Sequence, residues 1–136
     1  MKHLLLLSLT LLAVSAQAAP KKATSPAVLK ARLNKDIDNV SNICMDPVNN
    51  DAKELSTRSL RGQALADYKR HEPAAEHDGD NRTIGIYSFK SDNDSVILLS
   101  NIDSDGAGYC DFYTTRKGQR IGTMSGTESE GWDEVK

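Results

Sequence analysis

No Gly-x-Ser-x-Gly elbow, phosphate loop or dinucleotide fingerprint occurs in this chain. The usual signatures of serine hydrolases, nucleotide hydrolases and nicotinamide enzymes are therefore missing. Histidine is scarce: of three, His3 falls in the N-terminal leader, leaving His71 and His77 close together. Catalysis built on imidazole has little to draw on, although paired carboxylates stay open because Asp and Glu are plentiful and their pairing in space is not visible in a sequence. Basic clusters are missing too, since Lys and Arg are scattered and the formal net charge is only −2. Without a basic face, neither nucleic acid nor an anionic membrane surface is an expected partner. After residue 14 there is no long apolar run, so no membrane span is expected in the remainder.

What the first residues do contain is an export pattern. Lys2 carries a positive charge, Leu4 to Val14 form an apolar run broken only by Ser8 and Thr10, and Ala16, Gln17 and Ala18 place small residues where a signal peptidase reads. The apolar run is about half the ~20 residues of a membrane span, which argues against an anchor. Residues 1–18 are thus expected to be a cleaved signal peptide, and no Cys follows the site to accept a lipid. Removing 18 of the 136 residues leaves 118, one domain by size. It also leaves 16 of the 17 basic side chains against 19 acidic ones, a net charge near −3. Export places the domain in a periplasm, or alternatively in extracellular space.

Only two cysteines are present, Cys44 and Cys110. In an oxidising compartment an even count favours one disulfide. It would close a loop of about 67 residues, worth roughly 4 kcal/mol in the chain-entropy description. The rival reading, a catalytic thiol, needs a nearby base and an orienting group, and nothing brings His71 or His77 to either cysteine.

Residues 19–24 read as a disordered leader and 25–136 as a single α+β domain. Ser25 caps and Pro26 opens a helix. Leu29, Leu33, Ile37, Val40 and Cys44 then draw one apolar stripe until Asp46-Pro47 stops it. Asp51 to Glu54 has capping-box spacing, predicting a second helix to about Arg70 with Gly62 as a weak point. Residues 71–82 read as a polar loop between a helical half (25–70) and a strand half (83–125). Four strands follow, near Thr83–Lys90, Ser95–Ile102, Gly108–Thr115 and Arg120–Ser125, with the second apolar on both faces. The expected fold is two N-terminal helices packed on a four-stranded antiparallel meander, stapled by Cys44–Cys110, with an acidic tail over 126–136.

Several local patterns invite chemistry. His71-Glu72 through Glu76-His77 resembles a zinc-hydrolase signature, but the histidines are six apart with Pro73 between, where four are needed. A looser metal site from His71, His77 and neighbouring acids is the residual reading. Asn101 to Gly106, with Asp103 and Asp105, matches the first half of a calcium loop, yet Phe112 stands where the bidentate Glu belongs. A hairpin turn explains the same residues. Arg58 to Arg61 resembles the host-translocation motif of secreted oomycete effectors, without a convincing acidic segment after it. Three sequons, at Asn39, Asn81 and Asn93, matter only in a eukaryotic secretory pathway.

The expectation that follows is a small exported protein, not an enzyme and without a cofactor, that acts by binding another protein. A periplasmic inhibitor or immunity-type protein fits first, its partner being a toxin or enzyme. A secreted effector with a host target and an accessory metal-binding protein of the envelope are the alternatives. Candidate partner contacts are Tyr87, Tyr109, Tyr113 and Trp132, although Trp132 also suits a plug at the end of a small core.

Overall fold

A computed structural model describes residues 24–77, 83–89, 92–103, 107–127 and 132–136, with the side chains of 72–77, 83 and 92–94 outside that description. Residues 1–23, which contain the expected signal peptide and most of the expected leader, lie outside it as well.

The chain builds an α+β fold. Ser25 accepts a hydrogen bond from the Val28 N–H, and helix α1 runs Pro26–Lys35. Helix α2 follows over Ile37–Met45. The single helix predicted from the apolar stripe is thus two, broken at Asp36, whose backbone leaves helical geometry and whose side chain accepts from the Asn39 amide at 3.1 Å. Asp in mid-helix competes for local hydrogen bonds in this way. The break lets α1 pack over the last strand and α2 over a central one.

The second helix does not start at Asp51. Asp46 gathers the Asn49 N–H and side-chain amides from Asn49 and Asn50 into a turn, Asp51 takes a positive φ of 30°, and Ala52–Glu54 forms a short strand β1. Pairing of Ala52 with Phe89 and Glu54 with Tyr87 overrides the capping-box signal. After one 3-10 turn at Thr57–Ser59, helix α3 runs Gly62–His77. Residues 71–77, predicted as loop, continue that helix through Pro73.

Strands β2 (Thr83–Phe89), β3 (Asp92–Ile102), β4 (Gly108–Thr114) and β5 (Arg120–Gly126) complete an antiparallel meander in the order β1-β2-β3-β4-β5. The sheet therefore has five strands rather than four, and three α-helices cover it rather than two. α1 and α2 lie on one face, where Leu29, Leu33, Val40, Ile43, Leu98, Phe112 and Met124 form the larger core. α3 lies on the other, above Ile86, Ile97, Leu99 and Tyr113. Alternation along β3 sends Val96 and Leu98 to the first face, Ile97 and Leu99 to the second.

Cys44 and Cys110 meet in the larger core, both fully buried. The Ser100 hydroxyl donates to the Cys44 carbonyl at 3.3 Å, and Ser100 sits opposite Cys110 in the ladder, so α2 is held at that point. The two cysteines approach to 2.6 Å, outside the ~2.05 Å of a disulfide. They stand here as free thiols in contact rather than as the bond the sequence predicts. Burial, and then the neighbouring Cys110, push the Cys44 thiol well above its ordinary range.

Gly62, the weak point in the predicted helix, turns out to be the first residue of α3. It has φ +53°, and the Lys117 carbonyl approaches it so closely that a Cβ would collide. Gly118 (φ +62°) faces the Arg61 carbonyl in the same way, and its own carbonyl accepts from the Ala64 N–H at 3.1 Å. This backbone-on-backbone contact seats α3 on the β4–β5 turn. Gly118→Ala combines left-handed strain with a clash, so it should cost about 2 kcal/mol or more. A urea midpoint equal to wild type would contradict the contact.

Candidate functional site

The polar residues that might do chemistry gather between α3 and the sheet. Along β4, Cys110 and Phe112 face the larger core, which turns Tyr109, Asp111 and Tyr113 toward α3. On α3, Asp67 and His71 are one turn apart and share the inward face. Asp67 and Asp111 are consequently 4% and 3% exposed, and such carboxylates need compensation.

They receive it from several sides. The Tyr113 hydroxyl donates to Asp67 Oδ2 at 2.6 Å, and Arg70 Nη2 reaches Asp67 Oδ1 at 3.0 Å. Arg120 lies across both acids, Nη2 at 3.2 Å from Asp111 Oδ1 and Nη1 at 3.9 Å from Asp67 Oδ2. The Thr123 hydroxyl donates to Asp111 Oδ1 at 2.6 Å and itself accepts from Arg120. Burial and the hydrogen bond to Asp67 keep the Tyr113 phenol protonated well above its usual range, outweighing Arg120. Beside this group, the Asn101 amide donates to Tyr109 Oη at 2.8 Å, and Tyr109 Oη lies 3.1 Å from His71 Nδ1. The two rings meet edge to face, while Asn101 Oδ1 is buried without a partner among the described residues.

Each acid here faces a guanidinium and a hydroxyl, so the arrangement ties α3 to β4 and β5. Of this group, Thr123 alone lines either of the two described clefts. One cleft, about 130 Å³, has a floor of Leu29, Leu33, Val40, Phe89 and Val96 and a rim of Arg32, Asp36 and Asn39. The other, about 150 Å³, is polar and lies among Thr123, Ser125, Asp133, Glu134 and Lys136. Both fall below the ~300–1,000 Å³ of typical small-molecule sites. The first admits a protruding side chain rather than a cofactor.

The residues singled out in the sequence scatter. Tyr113 is fully buried, so it presents no surface to a partner. Trp132 is 5% exposed and packs in the larger core with Val135, in the position of a plug. Tyr87 and Tyr109 are half-buried. His71 is spent on Tyr109, and Asp103 Oδ1 accepts from the Ala107 N–H at 3.0 Å in the β3–β4 hairpin. The His77 side chain and Asp105 lie outside the described residues. Among those residues, no group of His, Cys, Asp or Glu is placed to hold a metal. Asp67, Asp111 and Arg120 had escaped the sequence reading. Asp111 had left one trace, a charge inside Tyr-Cys-Asp-Phe-Tyr, a strand otherwise apolar or aromatic.

No family model matches the chain, and no curated protein or solved structure matches it either.

Tyr113→Phe leaves Asp67 short of one buried donor and should cost about 1–3 kcal/mol near neutral pH. Because folding raises the phenol's pKa, wild type gains stability from it below the unfolded value near ~10 and loses that gain as pH rises further. The gap between wild type and Tyr113→Phe should therefore stay constant up to about pH 10 and narrow progressively as pH rises above it in urea titrations. A gap still constant above that pH would contradict the hydrogen bond.

Proposed function

We propose that this chain is an exported protein that works by binding another protein, in the manner of a periplasmic inhibitor or immunity-type partner. The observation that carries the reading is where apolar surface is left uncovered. The large hydrophobic side chains exposed among the described residues are Val28, Met45 and Val48 at 51%, 41% and 76%. They belong to α1, α2 and the turn just after α2, the same half that carries the apolar-floored cleft. Uncovered apolar side chains on the same helix pair as a pocket sized for a side chain and rimmed by polar groups fit protein docking better than a small-molecule site. Tyr87 joins as a half-buried contact of the neighbouring strand.

Export rests on the residue 1–18 pattern, and no helix among the described residues is long and apolar enough to cross a membrane. Once exported, Cys44 and Cys110 form the single disulfide. Their complete burial and direct contact support this, and the bond would tie α2 to β4 across the larger core. The metal-binding alternative loses ground because His71 and Asp103 are already engaged within the fold.

Two experiments test the reading. Mature protein, immobilised and exposed to envelope extract from its source, should retain a saturable partner. Val28→Asp combined with Val48→Asp should lose that partner with an unchanged melting temperature, since both side chains are exposed. Retention by the double variant, or no saturable partner for wild type, would refute a docking role for this face. Separately, protein recovered after export should show no titratable thiol until reduced. Reduction should lower its stability by roughly 4 kcal/mol; two free thiols before reduction would remove the disulfide.

A further inference from the structure

The last described segment, Trp132–Lys136, sits in a trough between α1 and β5. The Thr123 N–H donates to the Lys136 carbonyl at 2.8 Å, and the Lys136 N–H donates back to the Thr123 carbonyl at 2.9 Å. On the opposite wall, Asn34 of α1 accepts from the Val135 N–H at 2.8 Å and donates to the Val135 carbonyl at 3.1 Å. All four bonds engage main-chain atoms of the segment, so they ask for an extended backbone and not for a sequence, as in strand addition to a sheet edge. Side-chain selection comes from two apolar positions three apart, Trp132 and Val135, at 5% and 1% exposure. Between them Asp133 and Glu134 face solvent. Gly122 gives the trough its depth: a Cβ there would come within 2.5 Å of the Lys136 carbonyl oxygen and 2.8 Å of Val135 Cγ1.

We propose that this trough is a peptide-binding site, occupied here by the chain's own segment. In trans it accepts an extended stretch of a partner protein that carries an aromatic residue and, three positions on, a β-branched aliphatic. The resident segment is an imperfect occupant, because the Trp132 indole N–H is buried without an acceptor among the described residues. An aromatic ring lacking that donor fills the same place and leaves no polar group stranded. The intramolecular segment then acts as a competitor that a better-suited peptide displaces. The trough is held by Asn34, Gly122 and Thr123, none of which is among the exposed side chains invoked above, so loss of either site leaves the other reading standing.

Trp132 is the chain's sole tryptophan and reports its own displacement. Titrating the full chain with the peptide Gly-Phe-Asp-Glu-Val-Lys should move its emission to the red, saturably and with the melting temperature kept or raised. The same peptide with Asp in place of Val should do nothing. In a second arm, Val135→Ser weakens the resident segment, and the variant should bind fluorescein-labelled peptide about tenfold or more tightly than wild type. Adding Asn34→Ala should abolish that gain. An emission spectrum unmoved at millimolar peptide overturns the proposal on wild type alone, even if Val135→Ser fails to fold. So does a gain that survives Asn34→Ala. A red shift that appears only with rising protein concentration, together with dimers, assigns the trough to the segment of a second copy and likewise overturns it.

Discussion

Six consecutive residues of β3, Val96 to Asn101, are buried, which in an antiparallel sheet requires cover on both faces. Much else in the fold answers that demand. α1 and α2 cover one face and α3 the other, and the break at Asp36 lets the first pair lie over two different strands. The close glycine contact at Gly62 and Gly118 brings the start of α3 onto the sheet. Two layers of helix around one sheet give a domain of this size more buried surface than a helix pair on a half-solvated sheet would.

The two faces are closed by different chemistry. The larger core is apolar, and its polar contents, the Cys44–Cys110 contact and the Ser100 bond to the Cys44 carbonyl, sit where α2 meets β3 and β4. The α3 face is smaller and carries Asp67, Asp111, Tyr113 and Arg120 at its side. Buried acids of this kind are weak as a source of net stability, and they favour one arrangement here because a slip of α3 takes Asp67 away from the Tyr113 hydroxyl and from Arg120. A register error along β4 would be worse, since one residue of slip exchanges Cys110 and Phe112 for Asp111 and Tyr113.

Where the molecule can meet partners follows from what these closures leave over. Val28, Met45 and Val48 remain uncovered on the helix pair, while the edge of β5 is already taken at Thr123 by the chain's own last residues. The helix pair therefore leaves single apolar side chains uncovered, whereas the β5 edge is filled by a backbone-directed contact. The other free edge, β1, is three residues long, short enough to offer little to a pairing strand.

Period and punctuation in the sequence determined the class of the fold, the inward stripe from Leu29 to Cys44, strands β2, β4 and β5 within a residue, β3 apart from its first three residues, and the two-sided burial of β3. These features depend on neighbours along the chain, where 3.6- and 2-residue repeats are legible. Tertiary structure alone decided the rest. β1 exists because β2 offers its edge to Ala52–Glu54, against a local capping signal. α3 starts at Gly62 because a carbonyl from a turn 55 residues away presses on it. The helix continues past His71 where composition suggested loop. Trp132 became a core residue because Asn34 and Thr123 hold the segment down. The pairing of Asp67 with Tyr113, 46 residues apart, has no local signature at all. That hydrogen bond is a property of where chain segments meet, and no window of sequence contains both partners.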